Sequence, residues 1–320
     1  MSVKISWTAM GSTPDTLTVF WADTAFTYAN LPTNSVDIPP DSTSYTDSTI
    51  PAYTARFYMM RATKAGKDDL YSQCMSYGNY PKTGLGRNKV LRGNWEAGLM
   101  DVLTPAQVFT IAGLKTALGL ATSWGGTVTE SNLTAWFKFV RRGKILLIPS
   151  TPFSNNSVLR WSDIYNNGLM YGVDGPGDAP YDLVTGGFAP AISAPVNQKK
   201  VVTLGGENYL VRTPRLSTLP TNQTMPANKD SFPGGEWWEL MCRMTGTNIA
   251  ADDEPKLPPE KWYDYKSVVP FGCGATPHLL ASSVACCLNN TNWSAYLGRD
   301  GKGTAAAAWV HWIPVLELIP

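Results

Sequence analysis

Short segments rich in β-branched, aromatic and aliphatic residues recur along this chain, and turn-forming residues interrupt them after a few positions. Residues 17–21 and 56–61 are two such segments near the N-terminus, and clusters of Gly, Pro, Asn, Asp and Ser lie between them. Short strands separated by such clusters are typical of a β-sandwich. We therefore predict an all-β domain over residues 1–72, a linker over 73–86 and a larger domain over 87–320.

The larger domain combines strand pairs with short helices. Its predicted hairpins have glycine in the turn, and its predicted helices begin after capping residues or a Gly-Gly pair. The expected fold class is therefore β-rich α+β, with an N-terminal sandwich followed by a mixed domain. The predicted hairpins span 136–148 and 201–212, and the predicted helices lie at 104–118, 163–167 and 236–244.

Composition limits the partners that this chain can have. Charged residues make up only 16% of the sequence and the net charge is +1, so no overall field attracts nucleic acid. No run of about 18 apolar residues is present, so we expect no membrane insertion. Twelve Trp in 320 residues predict a dense aromatic core. The five Cys are expected to be buried, reduced thiols.

The end of the N-terminal domain resembles a fibronectin type III module. Residues 43–47 read Thr-Ser-Tyr-Thr-Asp, Tyr53 follows, and residues 57–61 form a tyrosine- and methionine-containing strand. In that family a Tyr-x-Asp stretch precedes a tyrosine-rich strand, and Trp7 matches the family's buried Trp loosely. The resemblance covers about the first 70 residues and implies a fibronectin type III-like or Ig-like sandwich.

Six segments of the larger domain resemble, in their order, the virion structural and tail fibre proteins of tailed bacteriophages. The family's final strand reads Trp-Arg-Pro-Val-Leu-Glu, and Ile313 stands here where the family has Arg. From about residue 200 the chain also resembles, more distantly, the C-type-lectin-like and formylglycine-generating-enzyme-like fold of some phage receptor-binding tips. The second-domain resemblance covers about residues 110–320. Its segments are 136–149, 161–172, 205–212, 234–241, 271–274 and 312–318.

Catalytic and metal-binding motifs are missing from the sequence, which has no Walker A, Gly-x-Ser-x-Gly or His-Glu-x-x-His pattern. His278 lies near Cys273, Cys286 and Cys287, but this spacing is not that of a standard zinc site. The basic, glycine-rich segment 84–89 lacks a preceding apolar strand, so we interpret it as a loop rather than a phosphate site. We expect no enzyme activity, no cofactor and no metal.

Two groups of carboxylates are candidates for catalysis or metal binding. Asp174, Asp178 and Asp182 lie in a Gly-Pro-rich stretch, where they are expected to cap turns, with calcium binding as the alternative. Glu236 and Glu239 share a helix face, where we expect a solvated role or one favoured by the dipole at the helix N-terminus. Either group contains a carboxylate pair of the kind that glycosidases use.

Five aromatic residues in or near predicted loops are the candidate ligand or interface residues: Trp124, Trp161, Trp262, Tyr263 and Tyr265. Aromatic faces beside Asn and Asp bind sugars on lectin-type surfaces, and the same residues serve equally as core or interface anchors.

The function expected from these features is that of a structural component of a tailed-phage virion: a tail fibre, collar, sheath-like or decoration subunit. It would assemble in the bacterial host cytoplasm with copies of itself and other virion proteins. The alternative is a carbohydrate-binding adhesin at a tail tip with a host-surface glycan as partner. A remote alternative is a virion enzyme that degrades an envelope polymer.

Overall fold

The computed structural model describes residues 2–8, 11–154, 159, 161–177, 195–215, 236–242, 279–280, 283–284, 287–288, 295–296 and 312–320. Strands predominate among them and the helices are short, which confirms the β-rich fold class. No helix in this described part is long and apolar enough to cross a membrane. The chain divides into two compact units. Unit 1 comprises Met1–Thr83, Gly93–Gly98 and Val140–Lys144, and unit 2 comprises Gly84–Arg92, Leu99–Phe139 and Ile145–Pro320.

Two antiparallel sheets are built from residues 2–8 and 11–83. Their strands are β1 (Val3–Ser6), β2 (Thr16–Ala22), β3 (Ser35–Ile38), β4 (Ser44–Asp47), β5 (Thr54–Thr63), β6 (Leu70–Tyr71) and β7 (Met75–Asn79). β1 pairs with β4 in one sheet. In the other, β2 lies between β3 and β5, and both β6 and β7 pair with β5 along different parts of its length.

The two sheets of unit 1 share one hydrophobic cluster. Val3 and Ile5 from β1 meet Val19 from β2 and Tyr58 from β5, and Trp7 packs against this cluster. The alternation of buried and exposed residues along β1 shows why: successive side chains of a strand point to opposite faces.

Asp47 connects the two sheets through hydrogen bonds. Its buried carboxylate accepts from the Tyr58 hydroxyl at 2.8 Å, from Arg56 Nη1 at 3.0 Å, and from the amide and hydroxyl of Thr49 at 2.7 Å each. Burial by itself would raise the pKa of Asp47, but these hydrogen bonds together outweigh burial and lower the pKa. Burial and the neighbouring Asp47 also raise the pKa of Tyr58.

The segment 73–86, predicted as a linker, contains strand β7. β7 pairs with β5 from Met75 opposite Tyr58 to Asn79 opposite Thr54. The composition of β7 is polar and includes glycine, as in a loop. It nevertheless forms a strand, because its backbone hydrogen-bonds to β5.

The other large sheet has seven strands: β8 (Arg92–Gly93), β9 (Ala97–Leu103), β10 (Trp136–Arg141), β11 (Lys144–Pro149), β12 (Lys200–Leu204), β13 (Glu207–Arg212) and β18 (Val315–Leu318). They lie in the order β12-β13-β18-β11-β10-β9-β8. The predicted hairpins are confirmed as β10–β11 and β12–β13, whose turn residues Arg142, Gly143, Gly205 and Gly206 all have positive φ, as type I′ turns require. Two further sheets have two strands each: β14 (Leu279–Leu280) pairs with β15 (Ser283–Val284), and β16 (Cys287–Leu288) pairs with β17 (Ala295–Tyr296).

The described helices are α1 (Ile111–Ala117), α2 (Trp161–Asn166), a 3-10 turn (Glu130–Asn132) and a π-helix (Trp237–Cys242). The predicted start of the first helix at Thr104 is wrong. Its N-cap is Thr110, whose hydroxyl accepts from the Gly113 amide at 3.0 Å. Thr104 instead starts a separate turn, in which its amide and hydroxyl both donate to the Gln107 side chain.

Candidate interaction site at one end of the large sheet

All long connections of the seven-stranded sheet leave from the same end. At the other end, short turns join β8 to β9, β10 to β11, and β12 to β13. Ser150 N donates to Ala135 O at 2.8 Å, and Arg212 is paired with Val315, which brings the strand ends together. We call this the long-connection end; its connections are residues 104–135, 150–199 and 213–314. Loops on a rigid scaffold are where binding residues concentrate, so this end is the candidate site.

Trp124 lies on the first of these connections, in a loop that α1 holds in place. The ammonium of Lys115, a buried residue of α1, donates to Thr122 O at 3.3 Å and to Gly126 O at 3.5 Å, on either side of Trp124. Burial lowers the pKa of Lys115, and the charge of Glu130 partly opposes this. A Cβ at Gly125 would lie 2.7 Å from Ser154 Cβ, so the close approach of the loop requires glycine.

An aromatic cluster supports the ring of Trp124. Trp124 meets Trp312 edge to face at 5.1 Å between ring centroids, Trp312 meets Phe153 at 6.0 Å, and Phe153 meets Trp136 at 5.5 Å. Trp312, Phe153 and Trp136 are fully buried, whereas Trp124 is partly exposed. Edge-to-face geometry is favourable for aromatic rings, so Trp124 forms the solvent edge of a rigid cluster.

A buried ion triad lies in the same unit. Arg212 Nη1 and Nη2 donate to the two carboxylate oxygens of Glu236 at 2.7 Å each, and Arg212 Nε donates to Glu317 at 2.8 Å. Arg212 is 0% exposed and Glu236 is 1% exposed. Burial disfavours the charged guanidinium, but Glu236 and Glu317 outweigh it and raise the pKa of Arg212. Glu236 also accepts from the Arg215 amide at 2.8 Å, so the triad ties together β13, β18 and the start of the π-helix.

The segment 84–89 is a loop held at its backbone by three polar side chains. The Tyr209 hydroxyl accepts from Leu85 N at 3.3 Å, Asp101 accepts from Arg87 N at 2.8 Å, and Lys138 Nζ donates to Arg87 O at 2.6 Å. Lys138 is fully buried, and this burial lowers its pKa to about 8, with Asp101 acting in the opposite direction.

Of the five predicted aromatic residues, the structure places Trp124 as described above and Trp161 at the start of α2. The side chain of Trp161, and all of Trp262, Tyr263 and Tyr265, lie outside the described residues. In sequence, all five fall within the ranges 104–135, 150–199 and 213–314.

The predicted carboxylate groups separate in the structure. Of the two roles expected for Glu236, the solvated one is wrong, because its carboxylate is buried inside unit 2 and accepts hydrogen bonds from Arg212. Asp174 accepts from Asn197 at 2.9 Å and from Lys199 at 2.9 Å, which lowers its pKa chiefly through the Lys199 hydrogen bond. Asp178 and Asp182 lie outside the described part of the chain.

In the described residues, no group of three or more His, Cys, Asp and Glu is placed to hold a metal ion. His278, Cys273 and Cys286 lie outside those residues, and Cys287 is described only as part of β16.

Sequence reasoning predicted none of the five cations that are buried among the described residues: Arg92, Lys115, Lys138, Arg141 and Arg212. The available signal was a lone charge among apolar neighbours, as Lys138 is within Trp-Phe-Lys-Phe-Val and Arg212 is after Tyr-Leu-Val. That signal shows an unusual environment but does not identify the partner, because the partners of Lys138 and Arg212 come from distant segments.

Comparisons with protein-family models, curated proteins and solved structures found no match.

Proposed function

We propose that this chain is a non-catalytic structural protein of a tailed-phage virion that acts by assembling with copies of itself and with other virion proteins. It would assemble in the bacterial host cytoplasm. The proposal includes a fibronectin type III-like or Ig-like module at the N-terminus and a C-type-lectin-like part from about residue 200.

One observation carries the proposal: three of the segments that resemble phage virion proteins meet at Arg212. Arg212 ends the segment 205–212, Glu236 belongs to 234–241, and Glu317 belongs to 312–318. Residues that are far apart in sequence therefore serve one buried structural contact. A buried ion pair whose hydrogen bonds are satisfied holds elements in register, and does so without a free group for catalysis.

The N-terminal unit supports the same proposal. Tyr45 and Asp47 form the Tyr-x-Asp stretch of the resemblance, and Asp47 binds the hydroxyl of Tyr58 in the tyrosine-containing strand β5. Leu70, in the edge strand β6, is 69% exposed, and Tyr28, whose ring lies 5.7 Å from that of Tyr71 in β6, is 67% exposed. Exposed apolar side chains of this kind favour contact with another protein.

The test is to purify particles from a lysate of cells that produce this chain with its phage and to locate the chain in a reconstruction. We expect an ordered array with contacts of about 1,000 Å² or more for each subunit pair. Absence of the chain from purified particles would overturn the proposal.

Two variants sharpen this test. Arg212→Met breaks the buried triad and should abolish incorporation into particles. Asp174→Asn changes the exposed pair with Lys199 and should be incorporated like the wild type. Equal incorporation of both variants would remove the support that the triad gives.

A further inference from the structure

We propose that residues 122–126, the Trp124 loop, bind a neutral glycan, with Trp124 as the stacking surface and Lys115 as the positioning residue. This binding function goes beyond assembly into a particle and is testable on the isolated chain.

The Trp124 loop is preorganised. Two turn hydrogen bonds fix its backbone, from Trp124 N to Ala121 O at 2.9 Å and from Gly126 N to Ser123 O at 3.0 Å. Lys115 holds the carbonyls at both ends of the loop, and Trp312 supports the indole ring. A rigid aromatic side chain loses little conformational entropy on binding, which is what a weak ligand such as a sugar requires.

Charge in the surrounding connection favours a neutral partner. Residues 104–135 are all described and contain only two charged residues, Lys115 and Glu130. Glu130 accepts from the Ile111 and Ala112 amides at 2.8 and 2.7 Å, and Lys115 is bound to the loop carbonyls. Both charged groups are therefore already hydrogen-bonded within the connection, which does not favour an anionic polymer as the ligand.

The exposed side chains around Trp124 are hydroxyls that match a polyhydroxylated ligand. Thr122, Ser123 and Thr127 are exposed and flank the partly exposed ring. Hydroxyl groups both donate and accept hydrogen bonds, as sugar hydroxyls do. The negative face of an indole ring attracts the C–H groups on one face of a pyranose. Together these features fit a neutral sugar better than a peptide or a phosphate.

The experiment uses the full chain labelled with 5-fluorotryptophan, with the Trp124 resonance assigned by its absence in Trp124→Phe. Cellotetraose, maltotetraose and chitotetraose are titrated separately to millimolar concentrations, where weak protein–sugar affinities are measurable. We expect at least one of them to shift the Trp124 resonance in a saturable way. If none of the three shifts it, the proposal is overturned, and this readout needs only the wild-type fold.

Variants then separate stacking from positioning. Trp124→Ala should weaken binding at least about tenfold, which corresponds to the loss of one aromatic platform. Tyr28→Ala, which removes an exposed aromatic from unit 1, should leave the affinity unchanged. Equal affinity of Trp124→Ala and the wild type would contradict the proposal.

Lys115→Met tests the positioning role. We expect weaker glycan binding and a broadened Trp124 resonance without a lower Tm, since a buried charge is replaced by an apolar side chain of similar length. Unchanged affinity would show that Lys115 does not position the loop. Preferential, salt-sensitive binding of a chondroitin sulfate tetrasaccharide would overturn the neutral-glycan assignment. The glycan titrations and the particle reconstruction test separate proposals. Absence of glycan binding would not contradict the virion proposal, and absence from particles would not contradict glycan binding.

Discussion

Replacing Arg212 with Met removes the guanidinium that binds two carboxylates inside unit 2, those of Glu236 and Glu317. Arg212 makes four hydrogen bonds of 2.7 to 3.0 Å, three of them to Glu236 and Glu317 and one to Thr213 O. Each charge-assisted bond contributes about 1.5–3 kcal/mol, but desolvation of the guanidinium offsets much of the sum. Breaking such a buried pair by removing one partner costs about 3–5 kcal/mol, and we expect that loss in the free energy of unfolding.

The assay is urea unfolding at pH 7, followed by tryptophan fluorescence, on Arg212→Met, Glu236→Gln and the double variant. The double variant should lose less than the sum of the single losses, with a coupling energy of at least about 2 kcal/mol, because the two residues share one contact. Asp174→Asn, in an exposed ion pair, is the control and should show no measurable change. An Arg212→Met variant as stable as this control would refute the reasoning.

Three further predictions concern single side chains. Burial lowers the pKa of Lys138 in the folded state to about 8, so the unfolded chain binds more protons between about pH 8 and 10.5. The free energy of unfolding of the wild type relative to Lys138→Met should therefore rise by about 1–3 kcal/mol across that pH range in urea titrations. A difference that does not change with pH would contradict the burial argument. Gly125→Ala should lower the free energy of unfolding by about 2–4 kcal/mol, because a Cβ there overlaps Ser154. Gly119 also has a positive φ but lies in open space, so Gly119→Ala should cost only about 1–2 kcal/mol. Equal decreases in Tm for the two variants would refute the packing reason. Asp47 has a lowered folded pKa, so its contribution is present above the unfolded pKa of about 4 and lost as the pH falls through the folded value; acid unfolding of Asp47→Asn should lack this component, and an unaltered acid transition would argue against it.

The local elements of the chain are well predicted by residue pattern. The hairpins β10–β11 and β12–β13 follow from apolar strands around glycine turns, and both turns have the positive φ that glycine allows. The short helix α2 ends before Gly168, whose φ is 71°. These features depend on neighbours within a few residues, and that information is present in the sequence.

The errors arise where a long-range contact overrides the local pattern. β7 is a strand because β5 pairs with it, although its own composition resembles a loop. The first helix begins at Thr110 rather than at Thr104, where Gln107 captures the amide and hydroxyl in a turn. Glu236 is buried because Arg212 lies opposite it, and a helical spacing rule cannot show this.

For the candidate site, the sequence by itself determined which residue types were available: aromatics in the long connections, and only two charged residues in the connection 104–135 that carries Trp124. Only the tertiary structure decided that Lys115 hydrogen-bonds to the carbonyls at both ends of the Trp124 loop and that Arg212 joins three distant segments. It also decided that the long connections leave the sheet from the same end. The physical reason is that hydrogen-bond partners of a buried charge must come from whichever backbone or carboxylate the fold brings within about 3 Å. Strand order sets those neighbours, and the insertion of β18 between β11 and β13 is a pairing of segments far apart in the chain.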